Sequence, residues 1–520
     1  MMRQLSELDA SFLYLESEST PMHMGGIYLF DNSSREEPLT YEEFHQYIES
    51  RLHLADFFRQ RLVEVPLKLD HPYWVDDPEF DLHRHLRHIT LEAPGNEQQL
   101  LDLAASLLAQ PLPRDRPLWE INYVDGLAPS AEAKAPFAMI VKVHHAAIDA
   151  VTGDDVMGAL LDFSPQIRKL APPKKPWQPA PLPSRARLLG NAYSSALNTP
   201  FRLANLAKDT VAGAFYALLL QRLKNLNLPP ALFSAPNTPL NQAVSPDRVL
   251  GYSEFPLERF RQLKYQHPGI TLNDLVMAVC AEALCQYLGE QGQLPAQPLI
   301  AMAPISVRSK NLLSPTGKQM SVMLLSLATN EADPAVRLKR IHENAVASKI
   351  YSQAISATRL TQLIPSTMIG LSARIFTEFQ LAQRHKPLFN LPITNVPGPQ
   401  MPLYLGGAKL VRQFGSAPLF DGIGLVFTVI SYNSKLTVSV TSCPRILQDM
   451  DQFMTYLPRA LDRIEEALRD VDLSAIPPAT ENEASSMRLG GWIKDVVALF
   501  TDLFNGFWSK DEKQDQDDRR

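Results

Sequence analysis

Apolar residues recur along the chain at two periods, and the period changes from segment to segment. In "FAMIVKVHH" (Phe137 to His145) an apolar, β-branched run predicts a strand whose successive side chains point to opposite faces. In "TLNDLVMAVCAEALCQYL" (Thr271 to Leu288) the residues Leu272, Leu275, Val276, Val279, Ala283 and Leu284 recur at three-to-four spacing and predict a helix with one apolar face. Further strands are predicted at "PLIAMAPISV", "SVMLLSLAT", "LVFTVISY" and "LTVSVTS", and a further helix from Ile446 to Arg469. Prolines crowd Pro165 to Pro183, which reads as an extended connector, and "LPPALFSAPNTPLN" (Leu228 to Asn241) is a second turn-rich connector. Between them Arg185 to Asn225 has helical composition and is expected to attach to the second half.

Strands and helices are interspersed without the regular rhythm of a doubly wound fold. The predicted architecture is therefore two α/β lobes with mixed sheets, joined by a proline-rich crossover, with a reactive site at their interface. The divisions are 1–163 for the first lobe, 164–184 for the linker, 185–475 for a helical connector and second lobe, and 476–520 for a spacer, an amphipathic helix and a charged tail. In that tail Leu489, Trp492, Ile493, Val496, Phe500, Leu503, Phe504 and Phe507 line one helical face. A helix over 487–508 has two readings, an interfacial helix in peripheral contact with a membrane or lipid droplet, and a helix docked on its own protein. Its polar face is poor in Lys and Arg, which favours the second.

Composition narrows the function. At 520 residues the chain exceeds what one core sustains, roughly 250 to 300 residues, and 45% hydrophobic with 20% charged residues is globular usage. A formal charge of -6 without a basic stripe leaves no electrostatic footprint for a nucleic-acid partner. Cys280, Cys285 and Cys443 lack metal-ligand spacing and read as reduced structural thiols. The start of the chain has no signal-peptide h-region, and Thr210 to Leu220 is too short to span a bilayer, so a cytoplasmic address is expected, with peripheral contact at the inner membrane or lipid inclusions. No GxSxG, HExxH, CxxC, P-loop or complete GxGxxG motif occurs.

The candidate chemistry lies in "VKVHHAAIDAVTG". On a strand His144 and His145 point opposite ways, so one of them faces a given cleft, and Asp149 sits where the chain turns toward the helix "DDVMGALLDF". A histidine at a strand end suits general-base work, since its ordinary pKa of about 6.5 lets it take up a proton near neutrality. The structural alternative is two satisfied core histidines and a helix-capping aspartate. His83, His85 and His88 in "DLHRHLRH" are crowded by Arg84 and Arg87 with no carboxylate to close a set, and no metal is expected.

"HHAAIDA" resembles the HHxxxDG motif of the acyltransferases built like chloramphenicol acetyltransferase. Six further segments narrow the resemblance to the bacterial wax ester synthase/acyl-CoA:diacylglycerol acyltransferase family: "LSELDASFLYLESESTPMHMGG" (Leu5 to Gly26), "RPLWE" (Arg116 to Glu120), "TPLN" (Thr238 to Asn241), "NDLVMA" (Asn273 to Ala278), "PISVR" (Pro304 to Arg308) and "TNVPGP" (Thr394 to Pro399). The resemblance implies two chloramphenicol acetyltransferase-like lobes meeting at a tunnel, and direct transfer of a fatty acyl group from acyl-CoA to a long-chain alcohol or diacylglycerol. Acyl-CoA is then a substrate, and no cofactor is implied. By position His145 matches the catalytic base and His144 the supporting neighbour. Asp149 matches the structural aspartate, and Arg308 looks like its ion-pair partner. Asn273 and Asp274 are placed near the tunnel, with helix capping as the alternative. Thr394 and Asn395 are candidate oxyanion donors, whereas Trp119, Met22, His23 and Met24 read as packing or tunnel wall.

The chain departs from the family pattern at Ala150, where the motif has glycine. If that position needs positive φ, the added Cβ costs on the order of 1 kcal/mol. Three rival readings remain at this level. Counted from His144, "HHAAID" also fits the Hx4D motif of glycerolipid acyltransferases. A condensation-type domain fed by a carrier protein shares the motif. A lipid-binding protein that keeps the fold without the chemistry is the third.

Overall fold

The alternating segments of the first 163 residues form seven strands: β1 (Arg3–Gln4), β2 (His23–Asp31), β3 (Gln60–Val63), β4 (Tyr73–Asp76), β5 (Leu86–Thr90), β6 (Trp119–Asp125) and β7 (Pro136–His144). The structure is a computed structural model that describes residues 2–147, 153–171, 176–194, 230, 234–307, 319–356, 386–469 and 471–473. Helices Glu7–Leu15, Tyr41–Glu49, Glu97–Ala109 and Gly153–Leu160 accompany these strands. Their starts are written locally: Ser6 accepts the Asp9 N–H, and Thr40 with Glu43 and Asn96 with Gln99 form reciprocal capping boxes. The second half supplies β8 (Val249–Pro256), β9 (Ile300–Val307), β10 (Gln319–Ser326), β11 (Leu391–Pro397), β12 (Tyr404–Leu405), β13 (Ala408–Ser416), β14 (Leu425–Tyr432) and β15 (Lys435–Ser442).

Two six-stranded sheets result, β12-β13-β2-β7-β6-β5 and β10-β9-β11-β14-β15-β8, beside a three-stranded sheet β1-β4-β3. Both large sheets are mixed, since β5 runs parallel to β6 and β11 runs parallel to both β9 and β14. The first sheet is completed from the second half of the chain. Strand β13 pairs antiparallel with β2, Ser416 opposite Gly25 and Lys409 opposite Asp31. Residues 404–416, read from the sequence as part of the second lobe, thus hydrogen-bond into the first sheet. Both faces of β13 are covered there: Leu410 packs in the cluster of Phe30 and Phe137, and Phe414 in that of Ile27 and Leu100. Side-chain period reports faces and is silent about which sheet a strand joins.

The second sheet is covered by helices Leu272–Glu290, Pro334–Ser356 and Met450–Leu468. The first of these was expected to bury one face. It is buried nearly all round, Met277, Cys280 and Ala281 included, because the other two helices flank it. Cys280 and Cys443 are buried free thiols, and Cys285 is partly so. The "TPLN" segment proves to be a tie between chain segments. Asn241 Nδ2 donates to the carbonyls of Asn390 (3.1 Å) and Gly422 (2.8 Å), while Asn390 Nδ2 returns a bond to Asn241 Oδ1 at 2.8 Å. Buried amides of this kind satisfy backbone carbonyls that water does not reach.

Of the helical connector, residues 185–194 are described. Leu188 and Ala192 pack against Val65, Tyr73 and Val75 of the first lobe, not against the second half as expected. The reason is an apolar face of the three-stranded sheet, Tyr73 and Val75 of its central strand included, which this helix covers. Thr210 to Leu220 and the 487–508 segment lie outside the described residues. Among the described residues no helix is long and apolar enough to cross a membrane.

Candidate active site

The histidine pair ends β7, and the strand alternation stops between the two rings. His144 is the last strand residue, opposite His23, with its N–H on the Leu118 carbonyl at 3.0 Å. His145 opens a 3₁₀ turn, His145–Ala147, and its N–H reaches the Met22 carbonyl at 2.8 Å. The rings separate accordingly: His144 is 1% exposed, whereas His145 is partly exposed.

His144 Nδ1 accepts the Ala146 N–H at 3.1 Å. A nitrogen that accepts a backbone N–H carries no proton, so in the neutral ring the proton sits on Nε2. Nε2 lies 3.3 Å from Glu16 Oε1, within ion-pair range though not in hydrogen-bond alignment, and the Glu16 side chain is only 7% exposed. Glu16 Oε1 also accepts the Met22 N–H at 3.1 Å, and Oε2 receives Arg114 Nε at 3.1 Å and Nη2 at 2.6 Å. Burial alone raises the Glu16 pKa, but the contacts with His144, Arg114 and the Met22 N–H outweigh it and hold the carboxyl at about 2. Glu16 escaped the reading of the sequence. Nothing in "YLESES" separates it from Glu18, which is exposed; the fold buries one and leaves the other in water.

The Phe12 ring stacks on His145, centroids 3.7 Å apart and planes at 19°. His145 Nδ1 is buried and has no hydrogen-bond partner among the described residues. Burial, and after it the neighbouring His144, pulls the imidazole down to about 4. At neutral pH this ring is uncharged and keeps a lone pair for a proton. Asp149, Ala150 and Arg308 lie outside the described residues.

Two other motif segments meet in the second lobe although 122 positions separate them. Asn395 Nδ2 donates to Asn273 Oδ1 at 3.2 Å. Asp274 closes the capping box of helix Leu272–Glu290 with Thr271 and sits 2.8 Å from His342 Nδ1, which raises the pKa of that histidine. The Thr394 hydroxyl donates to the Phe427 carbonyl of the adjacent strand over 3.4 Å. Among the described residues no hydrogen bond joins these groups to the histidine pair. In "TNVPGP" the glycine has a steric reason, since a Cβ at Gly398 falls 2.3 Å from the Ser431 carbonyl oxygen. Gly398→Ala is expected to cost about 1 to 3 kcal/mol, read as a lowered denaturation midpoint, because backbone has to move to admit the methyl.

Trp119 is a core residue. Its Nε1 donates to the Phe58 carbonyl at 2.9 Å and its ring stacks on His85 at 4.4 Å. The "DLHRHLRH" histidines do not share a strand. Leu82–Arg84 is a 3₁₀ turn, and His83, His85 and His88 turn to Asp81, the Trp119 carbonyl and Asp125 respectively.

Residues 5–276 match the family model of the wax ester synthase/diacylglycerol acyltransferase catalytic domain, and residues 316–465 match that of the WS/DGAT C-terminal domain. A putative diacylglycerol O-acyltransferase of Mycobacterium tuberculosis is 35% identical over 479 residues, covering 90% of this chain and 91% of that protein. Among solved structures, the wax ester synthase/diacylglycerol acyltransferase from Marinobacter aquaeolei VT8 superposes with a TM-score of 0.62 at 27% identity, covering 90% of this chain and 100% of that one. The starter condensation domain of rhizomide synthetase, solved with C8-CoA, shares the fold at a TM-score of 0.52 and 13% identity, covering 92% of this chain and 98% of that one. With both domain models matched in order along a two-lobed chain, the protein belongs to the wax ester synthase/diacylglycerol acyltransferase family and is an acyltransferase.

Proposed function

We propose that His145 is the general base in transfer of a long-chain acyl group from acyl-CoA to the hydroxyl of a fatty alcohol or diacylglycerol. The hydroxyl oxygen attacks the thioester carbon while His145 takes its proton. The tetrahedral intermediate then expels the coenzyme A thiolate, which recovers that proton from the imidazolium, so the ring ends neutral and no covalent acyl-enzyme forms. Acyl-CoA is a substrate here, and neither cofactor nor metal enters a step. The observation that carries this reading is the state of His145: neutral, partly exposed, stacked on Phe12, and with no hydrogen-bond partner for Nδ1 among the described residues. A pKa near 4 weakens the base but keeps all of it unprotonated at neutral pH.

Burial of alkyl chains, at about 0.8 kcal/mol per methylene, would supply affinity along an apolar passage between the lobes. Asn395 is favoured over Thr394 as oxyanion donor, since the Thr394 hydroxyl is directed at a strand carbonyl and the Asn395 amide keeps a second N–H beyond the one given to Asn273. Asp149 and Arg308, by their places in the motif, would steady the turn after the histidines. Incubating the purified chain with palmitoyl-CoA and a panel of alcohols and diacylglycerols, then resolving the neutral lipids, tests the activity and its acceptor; no ester from any acceptor refutes it.

The pH dependence follows from the same ring. A base with a pKa of about 4 gives kcat/KM that stays level on acidification through 6.5 and falls near 4. Stability behaves differently. Between 6.5 and 4 the unfolded chain binds the His145 proton and the folded one does not, so stability drops as pH falls, by up to about 1.4 kcal/mol per pH unit. Glu16, held at about 2, adds a loss of the same sign below its ordinary value of 4.5. Initial rates and melting temperatures at half-unit intervals from pH 8 to about 4 check both, and an acid limb at 6.5 contradicts the neutral-base assignment.

A further inference from the structure

We propose that Glu16, clamped by Arg114, is a positioning residue that sets the proton of His144 and, through it, the turn that presents His145. This rests on the assignment of His145 as base. The carboxylate reaches the His145 backbone by two routes. On one side Glu16 Oε1 binds the Met22 N–H, and the Met22 carbonyl takes the His145 N–H. On the other, Oε1 faces His144 Nε2, and His144 Nδ1 takes the Ala146 N–H. His145 is therefore held on both flanking peptide groups by contacts that trace back to one carboxylate.

The tautomer makes the arrangement directional. With the proton on Nε2, a donor faces the carboxylate and an acceptor faces Ala146. The other tautomer sets N–H against N–H at Ala146 and a lone pair against an ionised carboxylate, between side chains 1% and 7% exposed. The other charged or titratable groups on that face are already committed. His23 Nε2 meets the Leu108 carbonyl at 2.8 Å with its pKa pulled down to about 3 by burial, and Lys142 Nζ donates to the Gln110 carbonyl at 2.8 Å. Arg114 is fixed independently of His144, since Nη2 also donates to the Leu13 carbonyl at 2.9 Å. Glu16 is thus held by partners other than His144, and Phe12, one helical turn earlier, lays its ring on His145 from the same segment.

The test uses the full chain with Glu16→Ala, Glu16→Gln, Arg114→Ala, the double Glu16→Ala/Arg114→Ala and His145→Ala, assayed with palmitoyl-CoA and hexadecanol. Each of the first four is also labelled with ¹⁵N-histidine, the His144 signal being identified by its loss in His144→Gln. Glu16→Ala should lower kcat by about 10- to 100-fold with KM for palmitoyl-CoA within about threefold, and the single Nε2–H pattern of His144 should give way to mixed tautomers. Arg114→Ala should cost less, and nothing further in the Glu16→Ala background, because Arg114 acts through Glu16. Glu16→Gln keeps an acceptor oxygen and should hold the tautomer and kcat within about tenfold of the parent, which also serves if the alanine variant does not fold. Full kcat in Glu16→Ala or Glu16→Gln alongside a mixed tautomer overturns the inference while an inactive His145→Ala leaves the base standing; an active His145→Ala removes both.

Discussion

Replacement of His145 by Ala should leave a folded protein whose turnover of acyl-CoA and alcohol is lower by about 10²- to 10⁴-fold, the range general-base catalysis supplies. The fold is expected to survive because the ring gives little to it. It is partly exposed, its Nδ1 bonds to nothing described, and its packing partner is Phe12. The backbone bond from residue 145 to the Met22 carbonyl is independent of the side chain. A second signature separates loss of chemistry from loss of structure. Since the depressed imidazole makes the native state less stable on acidification, removing it should make the melting temperature fall less steeply between pH 6.5 and about 4, the remaining slope coming from the other depressed histidines such as His23. A variant that keeps normal turnover ends the base assignment, and one that loses activity together with its melting transition says nothing for it. His144→Ala should behave otherwise, because it takes away the acceptor for the Ala146 N–H and leaves the buried Glu16 short of a partner.

The largest expected effect on stability lies far along the chain, at Arg337. Glu282, 1% exposed, receives Arg337 Nη1 and Arg463 Nη1 (3.0 Å), so one carboxylate joins helices Leu272–Glu290, Pro334–Ser356 and Met450–Leu468. Arg337→Met removes the buried partner, itself 4% exposed, and leaves the charge with a half-exposed Arg463 and Gln286. Breaking a buried pair from one side costs about 3 to 5 kcal/mol, because the carboxylate has already given up its water. Removing the carboxylate as well should restore stability. Glu282→Leu with Arg337→Met removes both charges and should regain most of the loss, as replacing a buried pair by apolar residues is often neutral or better. Urea midpoints followed by tryptophan fluorescence and by circular dichroism read the effect without assuming a two-state chain of this length. A single variant as stable as the parent would mean that Arg463 and water suffice for Glu282.

The separation of His144 from His145 was expected from strand period and is instead made by the turn that His145 opens, while of the two capping candidates Asn273 and Asp274 the structure uses Asp274, with Thr271 as its partner. The order of the motif segments carried the family. By contrast, the meeting of Asn273 with Asn395 pairs residues whose individual surroundings, a helix start and a strand beside a Pro-Gly turn, each explain a polar residue without the other. The 185–194 helix was assigned to the wrong neighbour for a similar reason, since an apolar face reports that something covers it and not what.

The sequence by itself determined the local elements, the two-lobed class and the placement of one histidine at a strand end, because hydrophobic period, capping and turn chemistry act within a few residues. Tertiary structure alone decided that β13 crosses into the first sheet, that Glu16 is buried while Glu18 is not, and that Arg114 and Met22 close around it. Those are choices of partner between distant segments. Their free energy comes from removing particular groups from water, which no short window of residues contains.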